Sequence, residues 1–546
     1  MTVIRPPIKI RLSLFLATGL IASPVIAWAA TGAGQPLAVH AGMILSGRQG
    51  GSTAGTTAMT RARGPRTRRG AVVRLAGKST TTRLVAAPSW GRSEGAGELA
   101  SRLGSALTAR THGGQWGAIV ISLTKGDTLF EQNADGQVAP ASTMKMYTSS
   151  MALDRFGPDF VFKTPVLRDG SVGPDGSLSG NLYLRGVGDP SLSGRFWKGD
   201  TPMDALARQI ALAGIKRVHG DIVGDASAFD SRAIPDGWKK SYLGAAYAAR
   251  VSALSLNENL VWVVVQPSGN TASVTLEPAT TTIPIQNSVR LTNGSGGSIR
   301  AARQPDGSIV VKGSIGSRSG PRRYSMVVDD PALFTTGALR AALEHAGIKI
   351  DGATRLGATP AGVTTVATIP SPPLGQIVGE MNRESINIVA ELLFRSAAAT
   401  PSQIGSAETG LSTLRTFLSD KVHARSDLVA VSDGSGLSEL DRVTARSMVE
   451  LLSYAHASAW SAVFHASLPV EGESGTLKRR KGTPARGNLH AKTGTTNNVA
   501  SLGGFVTARN GEVLAFSFIY NGNDRWNAKS TMDSMGATLA EFSRER

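Results

Sequence analysis

Apolar residues over 95–111 recur at three- and four-residue spacing, which predicts an amphipathic helix. Residues 116–123 alternate toward a strand, Lys125-Gly126-Asp127 makes a turn, and 128–131 returns as a second strand. Pro140-Ala141 then leads into a helical stretch over 142–156. From about 164 to 369 short β-like runs such as 273–276, 288–291 and 308–311 dominate, divided by turns like Asp175-Gly176 and Gly294-Ser295-Gly296-Gly297. After Pro372-Pro373 the helical period returns over 374–383, 385–397, 408–418 and 445–455. The chain closes with strands at 499–506 and 513–520 and a helix over 528–543. Helix-and-sheet material flanking a β-rich middle is the pattern of an insertion.

The beginning of the chain reads differently. Arg5, Lys9 and Arg11 precede an apolar run from Leu12 to Ala30, and Ala27-Trp28-Ala29 is a small-x-small cleavage site. That layout predicts a secretory signal over 1–29, cut after Ala29, with an uncleaved membrane anchor as the alternative, and an exported product, periplasmic or cell-wall associated. Residues 30–93 are rich in Gly, Thr, Ala, Ser and Arg, too polar and aperiodic to repay ordering entropy, so a flexible basic linker is expected. Two roles fit it: an electrostatic tether of 31–93 to anionic membrane or wall polymer, or a solvated tail.

Charge and cysteine content narrow the chemistry. The 546 residues hold 58 Lys+Arg against 40 Asp+Glu, a net +18, and no Cys. Thirteen basic residues precede Glu94, the first acidic one, which leaves +5 for the remainder. Basicity thus belongs to the tail, and a nucleic-acid-binding fold is disfavoured, with no RNA- or DNA-binding motif in support. The absence of Cys excludes disulfides, thiol nucleophiles and Cys-ligated metal. The 8 His never form a His-x-x-x-His pair, so no metal and no cofactor are expected.

Ser142-Thr143-Met144-Lys145 is the first chemical candidate. On a helix, positions i and i+3 share a face, so the serine hydroxyl and the lysine amine can meet. A serine is a weak nucleophile that needs a neighbouring base, and a buried lysine can supply one. Ser122-Leu123-Thr124-Lys125 repeats the spacing, but on a strand running into a turn, where the two side chains face apart. Ser385-Ile386-Asn387 opens an apolar helix, unlike the Ser-x-Asn triplets at Ser179, Ser255 and Ser268; taken alone it is an ordinary helix N-cap. Lys492-Thr493-Gly494 occurs once, on a strand-like segment. Ser-x-x-Lys, a Ser-x-Asn relative and Lys-Thr-Gly in this order are the marks of penicillin-binding proteins and β-lactamases.

With those motifs the chain resembles the serine D-alanyl-D-alanine carboxypeptidase/endopeptidase family of the penicillin-binding protein 4 type, from about Trp116 to the C-terminus. Gly188-Asp189-Pro190, Asp433-Gly434-Ser435-Gly436-Leu437-Ser438, Gly475-Thr476-Leu477 and Ala491–Thr495 add to the likeness. The resemblance implies an α/β (α+β) transpeptidase/β-lactamase-like catalytic domain, 94–163 and 369–546, with two β-rich inserted domains, 164–252 with 328–368 and 253–327. It implies an acyl-enzyme serine hydrolase acting on peptidoglycan stem peptides and inhibited by β-lactam antibiotics. Ser142 would be the nucleophile and Lys145 its base, with Ser385 as proton relay and Asn387 holding Lys145 and the substrate. Lys492 would keep the site electropositive, and Thr493, Gly494 and Thr495 would bind substrate. A β-lactamase of similar fold fits less well: no Glu-x-x-x-Asn context lies between Asn387 and Lys492, and Ser142 and Ser385 stand too far apart. A non-catalytic wall-binding protein would have no need of the intact set.

Overall fold

The computed structural model describes residues 90–544; the expected signal and all but the end of the expected linker lie outside the described residues. The catalytic-sized body is built on one sheet of six strands. Its order is Gly91–Arg92, Asp127–Gln132, Gln115–Ser122, Val513–Asn521, Val499–Thr507 and His490–Thr495, so the two ends of the chain are interleaved. The first pair is parallel and the rest are antiparallel. Trp90 packs on the core and Gly91–Arg92 pairs with Asp127–Thr128, so the fold begins before Glu94, inside the stretch that composition assigns to the linker.

Both faces of the sheet are covered, which explains why its central strands read as continuous apolar runs. Ala118 and Val120 face one core, where helices Gly97–Ala109 and Arg525–Glu541 pack. Ile119 and Ile121 face the other, built with helices Met144–Phe156, Leu374–Glu384, Asn387–Ala398, Ala407–Phe417 and Ala445–Ala457. Helix Met144–Phe156 is buried all round from Met144 to Leu153, as expected of a helix at the centre of a core.

The chain between 163 and 370 forms four smaller sheets. Five strands (Thr354–Leu356, Ile222–Asp225, Leu182–Arg185, Lys163–Arg168, Thr364–Pro370) and four short ones from Ser171–Val172 to Lys349–Ile350 surround one core. Two three-stranded sheets occupy 260–327. The middle is β-rich but also carries two helices that the short-run pattern passes over, Pro202–Leu212 and Pro331–His345. Each starts with an N-cap, Thr201 or Asp330, followed by proline in the first turn. Among the described residues no helix is long and apolar enough to cross a membrane.

Candidate active site

Ser142 sits in a 3-10 turn, Ala141–Thr143, that runs into the buried helix. Ala141 before it adopts a left-handed φ of 47°, a conformation that costs an alanine free energy and persists only where surrounding packing imposes it. The packing comes from Gly436, whose φ is +80°: a Cβ there would stand 1.8 Å from the Ala141 carbonyl oxygen. Ser142 remains partly accessible, while Lys145, one turn on, is fully buried. The lysine Nζ donates to Ser142 Oγ at 3.0 Å, to Asn387 Oδ1 at 2.6 Å and to the Ser435 carbonyl at 2.8 Å. Three acceptors match the three donors of an ammonium.

Ser385 departs from the expected N-cap. It ends helix Leu374–Glu384 with φ 58°, ψ 45°, in the left-handed corner before helix Asn387–Ala398, and makes no cap bond to that helix. Local propensity favours Gly or Asn at such a corner, so the sequence held no signal for it. The corner aims Ser385 Oγ at Lys492, whose Nζ donates to it at 2.9 Å and to the Thr493 carbonyl at 2.9 Å. Asn387 uses both ends of its amide, accepting from Lys145 and donating Nδ2 to the Tyr247 carbonyl at 2.8 Å.

The strand His490–Thr495 passes close by the serine turn. A Cβ on Gly494 would lie 2.1 Å from Ser501 Oγ, 2.8 Å from the Pro140 carbonyl and 2.9 Å from the Ser142 nitrogen, so only glycine lets the strand approach that closely. Thr493 donates to Thr476 at 2.7 Å, and Thr495 is exposed at the strand end.

Burial pushes Lys145 down to about 8, while the carboxylates of Asp433, Glu391 and Asp441 hold it up. Lys492 is driven well below the ordinary lysine range by burial and then by the charge on Lys145. Two buried amines in one site cannot both hold a proton cheaply, and their titrations belong to the pair.

Residues 99–542 match the D-Ala-D-Ala carboxypeptidase 3 (S13) family. The chain belongs to that family. Among its relatives, the D-alanyl-D-alanine carboxypeptidase of Actinomadura sp. (strain R39) is 34% identical over 447 residues, 78% of this chain and 81% of that protein. The crystal structure of penicillin binding protein 4 from Haemophilus influenzae superposes with a TM-score of 0.68 at 24% identity, covering 81% of this chain and 99% of that one. A second structure of that protein, complexed with a β-lactam, gives 0.61 at 22% identity, over 80% and 98%. These likenesses bear on the fold.

The motifs alone gave no role to the loop that seats Lys145 in this S13-family chain. Asp433 is fully buried and accepts four hydrogen bonds: from the Ser435, Gly436 and Ser438 nitrogens at 3.0, 2.6 and 2.7 Å, and from Trp238 Nε1 at 2.7 Å. It thereby fixes the carbonyl that receives Lys145. Asp-Gly-Ser-Gly was the available signal, a short polar turn whose acceptor satisfies its own backbone. Ser122, the repeat of the Ser-x-x-Lys spacing, lies elsewhere, donating to Glu512 at 2.8 Å and accepting from the Lys125 nitrogen at 3.1 Å.

Proposed function

We propose that the chain is a serine-type D-Ala-D-Ala carboxypeptidase and/or endopeptidase that works on peptidoglycan stem peptides through an acyl-enzyme on Ser142. The observation that carries this reading is the contact of Lys145 Nζ with Ser142 Oγ at 3.0 Å, inside a site that lowers the lysine pKa. Lys145 takes the hydroxyl proton as Oγ attacks the penultimate D-alanine carbonyl. The Ser142 and Thr495 N–H groups receive the oxyanion. Ser385 passes a proton to the leaving amine, and Lys492, Thr493 and Thr495 hold the terminal carboxylate. That carboxylate restores charge to Lys492, and the renewed repulsion favours neutral Lys145 when substrate is in place. Water then breaks the ester. We read 90–163 and 369–546 as the catalytic body, its start moved from 94 by the strand Gly91–Arg92, interrupted by 164–252 with 328–368 and by 253–327.

β-Lactams acylate the same serine on this reading, which the β-lactam complex of the Haemophilus relative supports. Export follows from the N-terminal pattern, and the arginine-rich 31–93 segment is its electrostatic tether to anionic wall or membrane. The deciding experiment maps a penicillin adduct by peptide mass and follows D-alanine release from a pentapeptide. Label at Ser142, with both reactions lost in Ser142→Ala, is expected; label elsewhere refutes the reading. Mass analysis of digested muropeptides separates D-alanine release from cross-link cleavage.

A further inference from the structure

Beside the active site runs a second cleft. It has a volume of about 1580 Å³ and lies where the sheet Leu260–Ser268, Thr271–Glu277 and Arg322–Val327 meets helices Pro202–Leu212 and Pro331–His345. Pockets for small ligands hold roughly 300–1,000 Å³, so this one suits a segment of polymer. Two of its wall residues lie in segments that also build the site. Glu380 in its wall belongs to the helix that Ser385 terminates, and Ala246 precedes Tyr247, whose carbonyl accepts from Asn387.

The lining indicates what the polymer is. Four Lys or Arg side chains face five carboxylates, so the cleft is nearly neutral and unsuited to a phosphate-rich chain. The charges are largely paired already: Arg195 with Glu258 at 2.8 Å and with Glu380 at 3.8 Å, and Arg323 with Glu277. Trp197 and Trp262 line the same cleft, half-buried, and among the described residues neither indole N–H has a hydrogen-bond partner. The Arg323 guanidinium stands over the Trp262 ring, 5.5 Å from its centroid, and the rest of the two half-exposed indoles offers apolar surface and a free donor. Paired ions around them offer fixed donors and acceptors. Together they match a neutral chain of sugar rings carrying hydroxyl and amide groups.

We infer that this cleft binds the glycan strand whose stem peptide occupies the Ser142 site, so that the enzyme recognises polymer-borne peptide in preference to free peptide. The inference rests on the peptidoglycan reading above. The test compares kcat/KM of the full-length chain on one pentapeptide, free and attached to uncross-linked glycan strands. The wild type should prefer the attached form by tenfold or more. The double variant Trp197→Ala/Trp262→Ala should lose most of that preference, while free-peptide turnover and the rate of penicillin acylation stay within twofold. Quenching of tryptophan fluorescence by peptide-stripped glycan strands at high salt should vanish in the same variant.

Equal preference in wild type and variant overturns the inference, as does a wild type that makes no distinction. If free-peptide turnover and acylation fall in parallel with the polymer reaction, the tryptophans serve the fold and the inference is again wrong. Should no free peptide be hydrolysed at all, the functional reading fails by itself, and the fluorescence measurement still decides glycan binding.

Discussion

Asp433→Asn keeps the size of the side chain and removes its charge, and its consequences run in two directions. The carboxylate accepts two donors on each oxygen. An amide has one oxygen, so whichever way Asn turns, its NH2 group faces two buried donors. Two donors left unsatisfied at about 1–3 kcal/mol each destabilise the fold by about 2–6 kcal/mol. The Ser435 carbonyl, released from its fixed place, loosens the seat of Lys145. A misplacement of about 1 Å costs on the order of 100-fold in rate, so kcat/KM at its plateau should drop by one to two powers of ten.

The pH dependence moves the other way. Lys145 must be neutral to act as base, and Asp433 is the largest of the charges that hold its pKa up near 8. A nearby opposite charge shifts a pKa by about one to three units. Asp441 and Glu391 are themselves raised, with the Asp433 charge among the causes, and should ionise more readily in the variant, which returns part of the effect. A net fall of about one unit is therefore expected, placing the acid limb of the profile near pH 7. The assay is kcat/KM against pH on one D-Ala-D-Ala peptide, with thermal unfolding in parallel. An acid limb that moves upward, or an unchanged plateau with unchanged stability, refutes the reasoning.

Three further outcomes are expected. Lys492→Gln removes the charge that repels Lys145, so the acid limb of kcat should rise by about one unit, together with a loss of about 2–4 kcal/mol in transition-state stabilisation; an unmoved limb with only KM raised would reduce Lys492 to a carboxylate binder. Gly494→Ala should slow penicillin acylation of Ser142 by at least tenfold while costing about 1–3 kcal/mol of stability, because its methyl displaces the strand from the serine turn; acylation at the wild-type rate contradicts the close approach. Glu391 is raised from 4.5 to about 8 by burial and then by the Asp433 charge, so the fold holds a proton there that the unfolded chain releases. Wild-type stability therefore falls across that window, and Glu391→Gln should gain on wild type in chemical unfolding as pH rises from 4.5 to 8, with near wild-type activity at pH 7; a constant difference across the window excludes a protonated Glu391.

The sequence determined whatever depends on short spacing. Serine and lysine three apart on a helix meet because the turn repeats every 3.6 residues, and the same spacing on the strand at Ser122 gives no such site. The period of apolar residues likewise assigned the central strands and most helices of the catalytic-sized body, whose bounds differ from the structure by a few residues. It passed over Pro202–Leu212 and Pro331–His345, although their capping residue and proline were legible, because short β-like runs dominate around them. Tertiary structure alone decided the rest. Ser385 is held in a left-handed corner that its own propensity opposes. Lys492 finds it from 107 residues away, and Ser435 reaches Lys145 from 290. Asp433, a turn residue by sequence, becomes the anchor of the Lys145 seat because Trp238 Nε1, 195 residues away, joins three nitrogens of its own loop on the carboxylate. Burial, which lowers both lysines, is a property of the assembled core and of no local stretch, since only packing removes water from an amine.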